Sequence, residues 1–192
     1  MAESHLMAGL PHARPEWFIR PNGYSAAHTI HGLGHTHRVL MHALAIADAL
    51  GLDAWEREAL TRAALWHDIG RTDDDVDYYH GAKSAGKAVA LELHEGVDPV
   101  VREVALYAVT HHSGSELHGE RAADFLGYHE LDTEGLSRCW TPIDPDGALR
   151  VFRVLKDADG LDRVRLGDLD PSYLRTEPAR GMVARAWELY EA

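Results

Sequence analysis

The chain has a single cysteine, Cys139, in 192 residues. That excludes a disulfide framework and any cysteine-rich zinc site. No stretch approaches the ~18 consecutive apolar residues of a membrane-spanning helix. The start, MAESHLMAGL, lacks the cationic segment and apolar run of a secretion signal, so a soluble, unexported, cytoplasmic protein with no membrane partner is expected. Positive charge is also scarce. Against 31 Asp and Glu stand 19 Lys and Arg, giving a net charge of −12 that repels phosphate backbones and argues against a nucleic-acid partner. Alternating strand patterns, internal repeats and low-complexity tracts are missing too. Histidine, by contrast, is plentiful at 14 residues.

The length suits one domain, and a chain this long buries roughly 70% of its unfolded surface, enough for a core without staples. Residues 1–23 carry Pro11, Pro15, Pro21 and Gly23 without periodicity and read as an N-terminal arm that docks through Trp17, Phe18 and Ile19. Residues 24–192 read as the domain. Ser25 is taken as the N-cap of a first helix, along which Val39, Leu40, Ala43, Leu44, Ala47 and Leu50 recur at helical spacing until Gly51. Asp53 with Glu56 forms a capping box, after which Leu60, Ala63, Ala64 and His67 trace one face that ends at Gly70. Residues 71–79 read as a loop and 81–94 as an alanine-rich helix. Asp98-Pro99 is an N-cap with proline at the first helical position; Val100, Val104, Ala108 and His111 follow as its stripe. A polar stretch covers roughly 113–146, with turn signals at Thr141–Gly147, and helices are predicted near 147–159 and 178–191. The fold class is all-α, a single compact helical bundle.

Within that bundle, His35 lies in the first helix, His67-Asp68 and His111-His112 at the ends of the second and fourth, and an aspartate ends the fifth. Helix ends can direct ligands into a common crevice, and imidazole with carboxylate suits zinc, iron and manganese. The spacings from His35 to His67, Asp68 to His80, His80 to His111 and His111 to Asp159 are 32, 12, 31 and 48 residues. No short-range finger pattern exists, so the tertiary fold must assemble any site. An isolated histidine is ordinarily a surface or hydrogen-bonded residue; His5, His12, His42, His94, His118 and His129 are read that way. Asp73, Asp74, Asp75 and Asp77 read as a solvated loop. Asp68 differs, because a charged group closing an apolar face is costly unless paired or metal-bound.

These residues carry a resemblance. The order His35, His67-Asp68, Asp159 resembles the HD superfamily of metal-dependent phosphohydrolases, all-helical proteins named for the His-Asp doublet. His35-Thr-His-Arg38-Val39 is similar to its first motif and Leu65-Trp66-His67-Asp68-Ile69-Gly70 to its second. Lys156-Asp157-Ala158-Asp159-Gly160-Leu161-Asp162 is similar to its last, with Asp159 in the ligand place and Asp162 behind it. The resemblance covers residues 28–166. His80-Gly81 with Ser84-Ala85, and the pair His111-His112, match the subgroup with two metals. It implies one divalent ion on His35, His67, Asp68 and Asp159, and another on Asp68, His80, His111 and His112, with His31 as an additional candidate. Iron or manganese is the first expectation; zinc, nickel, cobalt and magnesium also suit.

The chain departs from some relatives. Ser113-Gly114-Ser115-Glu116 follows His111-His112 where cyclic-dinucleotide specialists have Gly-Tyr-Pro. Gly70-Arg71-Thr72 stands where stringent-response hydrolases carry an acidic pair. Arg71 occupies the place of a lysine in several dinuclear relatives and is expected, with Lys83, to hold an anionic group. The resemblance therefore implies hydrolysis of a phosphate ester of a small anionic molecule, a nucleotide or sugar phosphate, by a metal-activated water. Asp68, Arg71 and His112 are its expected catalytic residues, with His112 or His31 as general acid. The alternative is a mixed-valent di-iron oxygenase cleaving C–C or C–P bonds; Tyr24, eleven residues before His35, matches a tyrosine of that branch. A third reading is a metal-binding module without catalysis.

Overall fold

The computed structural model describes residues 11–127 and 143–192. Cys139, His5 and His129 lie outside them, as does the start of the predicted turn at Thr141. The described residues form eight α-helices: α1 (Leu33–Leu50), α2 (Ala54–Trp66), α3 (His80–Ala90), α4 (Pro99–His111), α5 (Glu116–Ala123), α6 (Pro145–Leu161), α7 (Glu177–Gly181) and α8 (Val183–Glu191). Among the described residues there is no strand, only an isolated antiparallel bridge between Ile19 and Ser25. No described helix is long and apolar enough to cross a membrane.

The bundle is organised around α2, which packs against α1, α4 and α6. Its sequence explains why. The Asp53–Glu56 capping box satisfies otherwise orphaned N–H groups at the helix start, with the Asp53 N–H donating to Glu56 Oε2 at 2.7 Å. The other Glu56 oxygen accepts from Arg150 Nε of α6, also at 2.7 Å, so one buried carboxylate both starts α2 and fixes its neighbour. Ala59, Ala63 and Ala64 are fully buried, and their small side chains let three helices close on α2. In α4, the Asp98 carboxylate accepts from the N–H groups of Val100 and Val101. In α6, Asp144 does the same for Asp146 and Gly147. Phe152, Leu155 and Leu161 of α6 are among the largest fully buried side chains. Asp157, also of α6, is buried and accepts from the N–H groups of Arg175 at 2.8 Å and Thr176 at 2.7 Å, which draws the carboxy-terminal helices onto the bundle.

Two expectations need correction. The first helix begins at Leu33, not near Ser25. Residues 25–32 are held in successive turns instead, with Thr29 N–H on Ala26 O, Gly32 N–H on Thr29 O and Leu33 N–H on Ala27 O. The polar stretch that begins near residue 113 contains an unexpected helix, α5, capped by Ser115 and packed through Gly119 against Phe152. Of the three arm residues expected to dock, Phe18 is buried and Trp17 packs on the core, whereas Ile19 is exposed.

Candidate metal centre

Five chain segments end or turn at the same end of the bundle. His35 sits in the first turn of α1, His67 at the C-cap of α2, His80 at the start of α3, His112 at the C-cap of α4 and Asp159 in the last turn of α6. Two glycines make the convergence possible. A Cβ on Gly70 would lie 2.3 Å from the backbone of Lys83 and Ser84, so only glycine lets the turn after His67-Asp68 touch α3. A Cβ on Gly81 would lie 2.4 Å from the Val109 carbonyl oxygen, so only glycine seats α3 against α4. Side chains then lock the contact. Ser84 Oγ accepts the Gly70 N–H at 3.0 Å; Ser113 Oγ accepts the Gly81 N–H at 3.2 Å and donates to Tyr78 O at 3.0 Å.

The Asp68 carboxylate lies between two groups. Its Oδ2 is 2.9 Å from His31 Nδ1, 3.4 Å from His35 Nε2 and 3.8 Å from His67 Nε2. Its Oδ1 is 3.1 Å from His80 Nε2, 3.8 Å from His112 Nε2 and 3.3 Å from Arg71 Nε. Asp159 Oδ1 completes the first group at 3.3 Å from His35 Nε2. Three ligand sets able to hold an ion result: His31, His35 and Asp68; His35, His67 and Asp159; and Asp68, His80 and His112.

The hydrogen bonds fix what these imidazoles offer. Nδ1 of His67, His80 and His112 faces the carbonyl of Ala64, Asp77 and Val109, respectively. A carbonyl only accepts, so Nδ1 carries the proton and Nε2 presents a bare lone pair. His35 Nδ1 donates to the buried carboxylate of Asp162 at 2.7 Å, which directs its Nε2 inward in the same way. Yet His80 Nε2 and His112 Nε2 face each other at 2.9 Å, and His35 Nε2 and His67 Nε2 at 3.0 Å. Neutral lone pairs so placed repel unless a cation or proton lies between them. Asp68 Oδ1 is likewise buried without a hydrogen-bond partner. This donor set of imidazoles and carboxylates backed by carbonyls and a carboxylate fits a divalent metal.

Electrostatics agree with that fit. Burial pushes His67 down to about 3, keeping it neutral. Burial opposes ionisation of Asp68, but the histidines around it, His112, His31 and His35 among them, hold its carboxyl well below the usual carboxylate range. Asp159 is lowered too, burial being outweighed by its hydrogen bond with His35. His35 itself is raised to about 10 because Asp159, Asp162 and Asp68 overcome its burial. A proton on His35 thus supplies positive charge that a metal would otherwise bring. Behind it, Arg38 donates to Asp162 through Nε at 2.6 Å and Nη2 at 3.1 Å.

The structure brings His31, His35, His67, Asp68, His80, His112, Asp159 and Arg71 together, and leaves out His111. α4 continues in α-geometry through His112, whose N–H donates to Ala108 O at 3.0 Å. Successive helical residues point ~100° apart, so the unfrayed helix aims only one of the pair inward. His111 instead lies beside Tyr107, the two rings tilted with centroids 5.4 Å apart, on a separate cavity with Arg102 and Phe125. Lys83, expected at a substrate phosphate, is paired with Asp77 at 2.7 Å. Tyr24 is exposed with its ring under Arg20. Of the histidines read as ordinary, His42 is buried with an unpartnered Nε2. Sequence reasoning missed Lys156, which donates to the carbonyls of His112 at 2.9 Å and Gly114 at 2.7 Å and so ties the end of α4 to α6. It also missed Arg165, whose Nε donates to Ile30 O at 3.1 Å beside His31. Their only signal was a cation within one turn of Asp159 or Asp162.

The cluster opens on a cavity of about 480 Å³ bordered by His31, Asp68, Arg71, His80, His112 and Asp159. An all-helical bundle with a buried histidine–aspartate centre at its helix ends is the class these features define. A family model for the HD domain matches residues 32–164, more than half of the chain, and the protein belongs to the HD-domain family. Searches of curated proteins and of solved structures found no match to it. The family's members bind divalent metals and are mostly metal-dependent hydrolases.

Proposed function

We propose that the protein is a dinuclear metal-dependent phosphohydrolase acting on a phosphate ester of a small anionic molecule. The observation that carries this reading is the two close pairs of facing Nε2 atoms on either side of the Asp68 carboxylate, His35 with His67 at 3.0 Å and His80 with His112 at 2.9 Å. His35, His67, Asp68 and Asp159 would hold one ion, and Asp68, His80 and His112 the other, with iron or manganese first among the candidates. Two divalent ions held there would supply positive charge for the phosphoryl oxygens and lower the pKa of a water, favouring the deprotonation that makes it a nucleophile.

The protein's own residues do the rest. The Arg71 Nε is buried without a hydrogen-bond partner beside Asp68, and it is placed to donate to a phosphoryl oxygen. Asp162, held by Arg38, keeps the His35 proton on Nδ1. Water loses a proton to solvent as it forms the new bond to phosphorus, the ester P–O bond breaks, and the departing oxygen takes a proton in return. Both His112 nitrogens are engaged, so His31, whose Nδ1 faces Asp68 at 2.9 Å, is the imidazole left for that proton. The chain's net charge of −12 disfavours a nucleic-acid substrate.

The test is phosphate release from a panel of phosphate monoesters by protein loaded anaerobically with Mn²⁺ or Fe²⁺. Turnover without O₂, abolished in Asp68→Ala, is the expected result. Activity that requires iron and consumes O₂ would replace this reading with the oxygenase, and full activity in Asp68→Ala would remove the centre from the chemistry.

A further inference from the structure

The mouth of the 480 Å³ cavity differs in character from its floor. The floor is imidazole, carboxylate and guanidinium. The mouth carries Ile30, Val76, Tyr78 and Leu166, four apolar or aromatic side chains from three separate segments. They are 49%, 81%, 74% and 43% exposed, respectively. Apolar side chains gathered on one rim above a polar site mark a place where apolar surface is buried on binding.

The loop that supplies two of them is held in place. Asp74 pairs with Arg20 at 2.7 Å, Asp75 O accepts from Arg71 at 3.0 Å, and Tyr78 O accepts from Ser113 at 3.0 Å. Ile30, from another segment, is fixed by Arg165, which donates to its carbonyl at 3.1 Å. These segments are thus held by Arg20, Arg71, Ser113 and Arg165, and their exposed apolar side chains line the cavity. Several of the rim's charged groups are already paired, Arg163 with Asp168, Asp74 with Arg20, and Asp77 with Lys83. The four apolar side chains are the exposed non-polar surface that the part of the substrate projecting outward would meet.

We propose that this collar is a specificity subsite for an apolar alcohol moiety, so that the preferred substrate is the phosphate monoester of an aromatic or aliphatic alcohol and not of a polyhydroxylated sugar. The inference rests on the phosphohydrolase reading of the same cavity. Full burial of each methylene against such a collar is worth about fourfold in affinity, and of a phenyl ring correspondingly more.

The experiment compares 2-phenylethyl phosphate with glycerol 1-phosphate, both esters of primary alcohols, on the metal-loaded full chain and on Tyr78→Ser and Val76→Ser. Both substitutions are at exposed positions, so folding is not at stake. The expected result is a kcat/KM at least about tenfold higher for the phenylethyl ester, carried mostly by KM, with the ratio narrowing in both variants. Calorimetry with 3-phenylpropylphosphonate against methylphosphonate provides a readout that needs no turnover, and the same order is expected. Equal kcat/KM for the two esters would overturn the collar and leave the phosphohydrolase standing. Turnover of neither ester, with tighter binding of the phenylpropylphosphonate that Tyr78→Ser abolishes, would support the subsite and overturn the hydrolase reading. A wild-type dimer converted to monomer by Tyr78→Ser in sedimentation would make the collar a contact between two copies and overturn the proposal.

Discussion

Replacing Asp162 with asparagine separates what holds the helices from what aims the imidazole. The Asp162 carboxylate is fully buried and accepts from His35 Nδ1 at 2.7 Å and from Arg38 at 2.6 and 3.1 Å, with Arg165 Nη1 at 3.5 Å. The substitution Asp162→Asn would leave Arg38 and Arg165 without their buried counter-charge and present an amide to a set of donors. Removing one partner of a buried ion pair costs about 3–5 kcal/mol, and about 2–4 °C of Tm per kcal/mol applies at this chain length. The expected drop is therefore about 6–12 °C at the lower end of that cost, measured with chelator present so that metal does not mask it. Burial opposes its ionisation, but His35 and Arg38 lower the Asp162 pKa, so its contribution is present above the ordinary carboxylate range and is lost as pH falls through the depressed value. The variant should accordingly lose its deficit at low pH. Metal affinity should fall about 10–100-fold, because His35 is no longer held in one tautomer. Adding Arg38→Met should restore part of the stability but none of the metal affinity. A chelated Asp162→Asn protein within about 1 kcal/mol of wild type would refute the reasoning.

Three further outcomes follow from the same geometry. His112→Ala should lose one of two bound metals while His111→Ala keeps both, as read by elemental analysis of reconstituted protein; equal losses would mean that α4 is rotated from its present setting. In Gly81→Ala the new Cβ, 2.4 Å from the Val109 carbonyl, must push α3 away. Such overpacking costs about 1–3 kcal/mol, and urea titration should show that loss together with reduced metal content. Burial lowers His42 to about 4; its unfolded value is about 6.5, so the unfolded chain binds the extra proton between those limits and stability falls as pH drops through that window. The expected loss from this residue between about pH 7.5 and pH 5 is about 2 kcal/mol, and His42→Leu should remove that part of the slope in paired urea titrations.

The bundle was legible because its helices announce themselves locally. The Asp53–Glu56 box, the Asp98-Pro99 start and the Gly51 stop are short-range signals, and each helix they predict is present. Helix phase was harder. The sequence stripe on α4 runs through Val100, Val104, Ala108 and His111, whereas Val101, Val104, Ala105, Tyr107, Ala108, Val109 and His112 are the buried positions. Both sets share Val104 and Ala108, and a valine at 100 and at 101 leaves the sequence nearly symmetric between them. Tertiary packing breaks the tie: Gly81 of α3 lies against the Val109 and Thr110 carbonyls, which turns His112 toward His80. The start of α1 was misplaced for a related reason, since Ser25 suits an N-cap but residues 26–33 satisfy their backbone in turns. Lys156 and Arg165 were beyond reach, because their partners are carbonyls of distant segments, and nothing in a sequence marks a carbonyl as needing a donor.

Metal stoichiometry tests the centre most directly. Protein stripped with chelator, reconstituted with Mn²⁺ or with Fe²⁺ under anaerobic conditions and desalted should hold two equivalents per chain. His80→Ala should hold one, and Asp68→Ala less than one, because both halves of the cluster share that carboxylate. A single equivalent in the wild type, unchanged in His80→Ala, would contradict the dinuclear account, and full loading of Asp68→Ala would contradict the placement of Asp68 between the two ions.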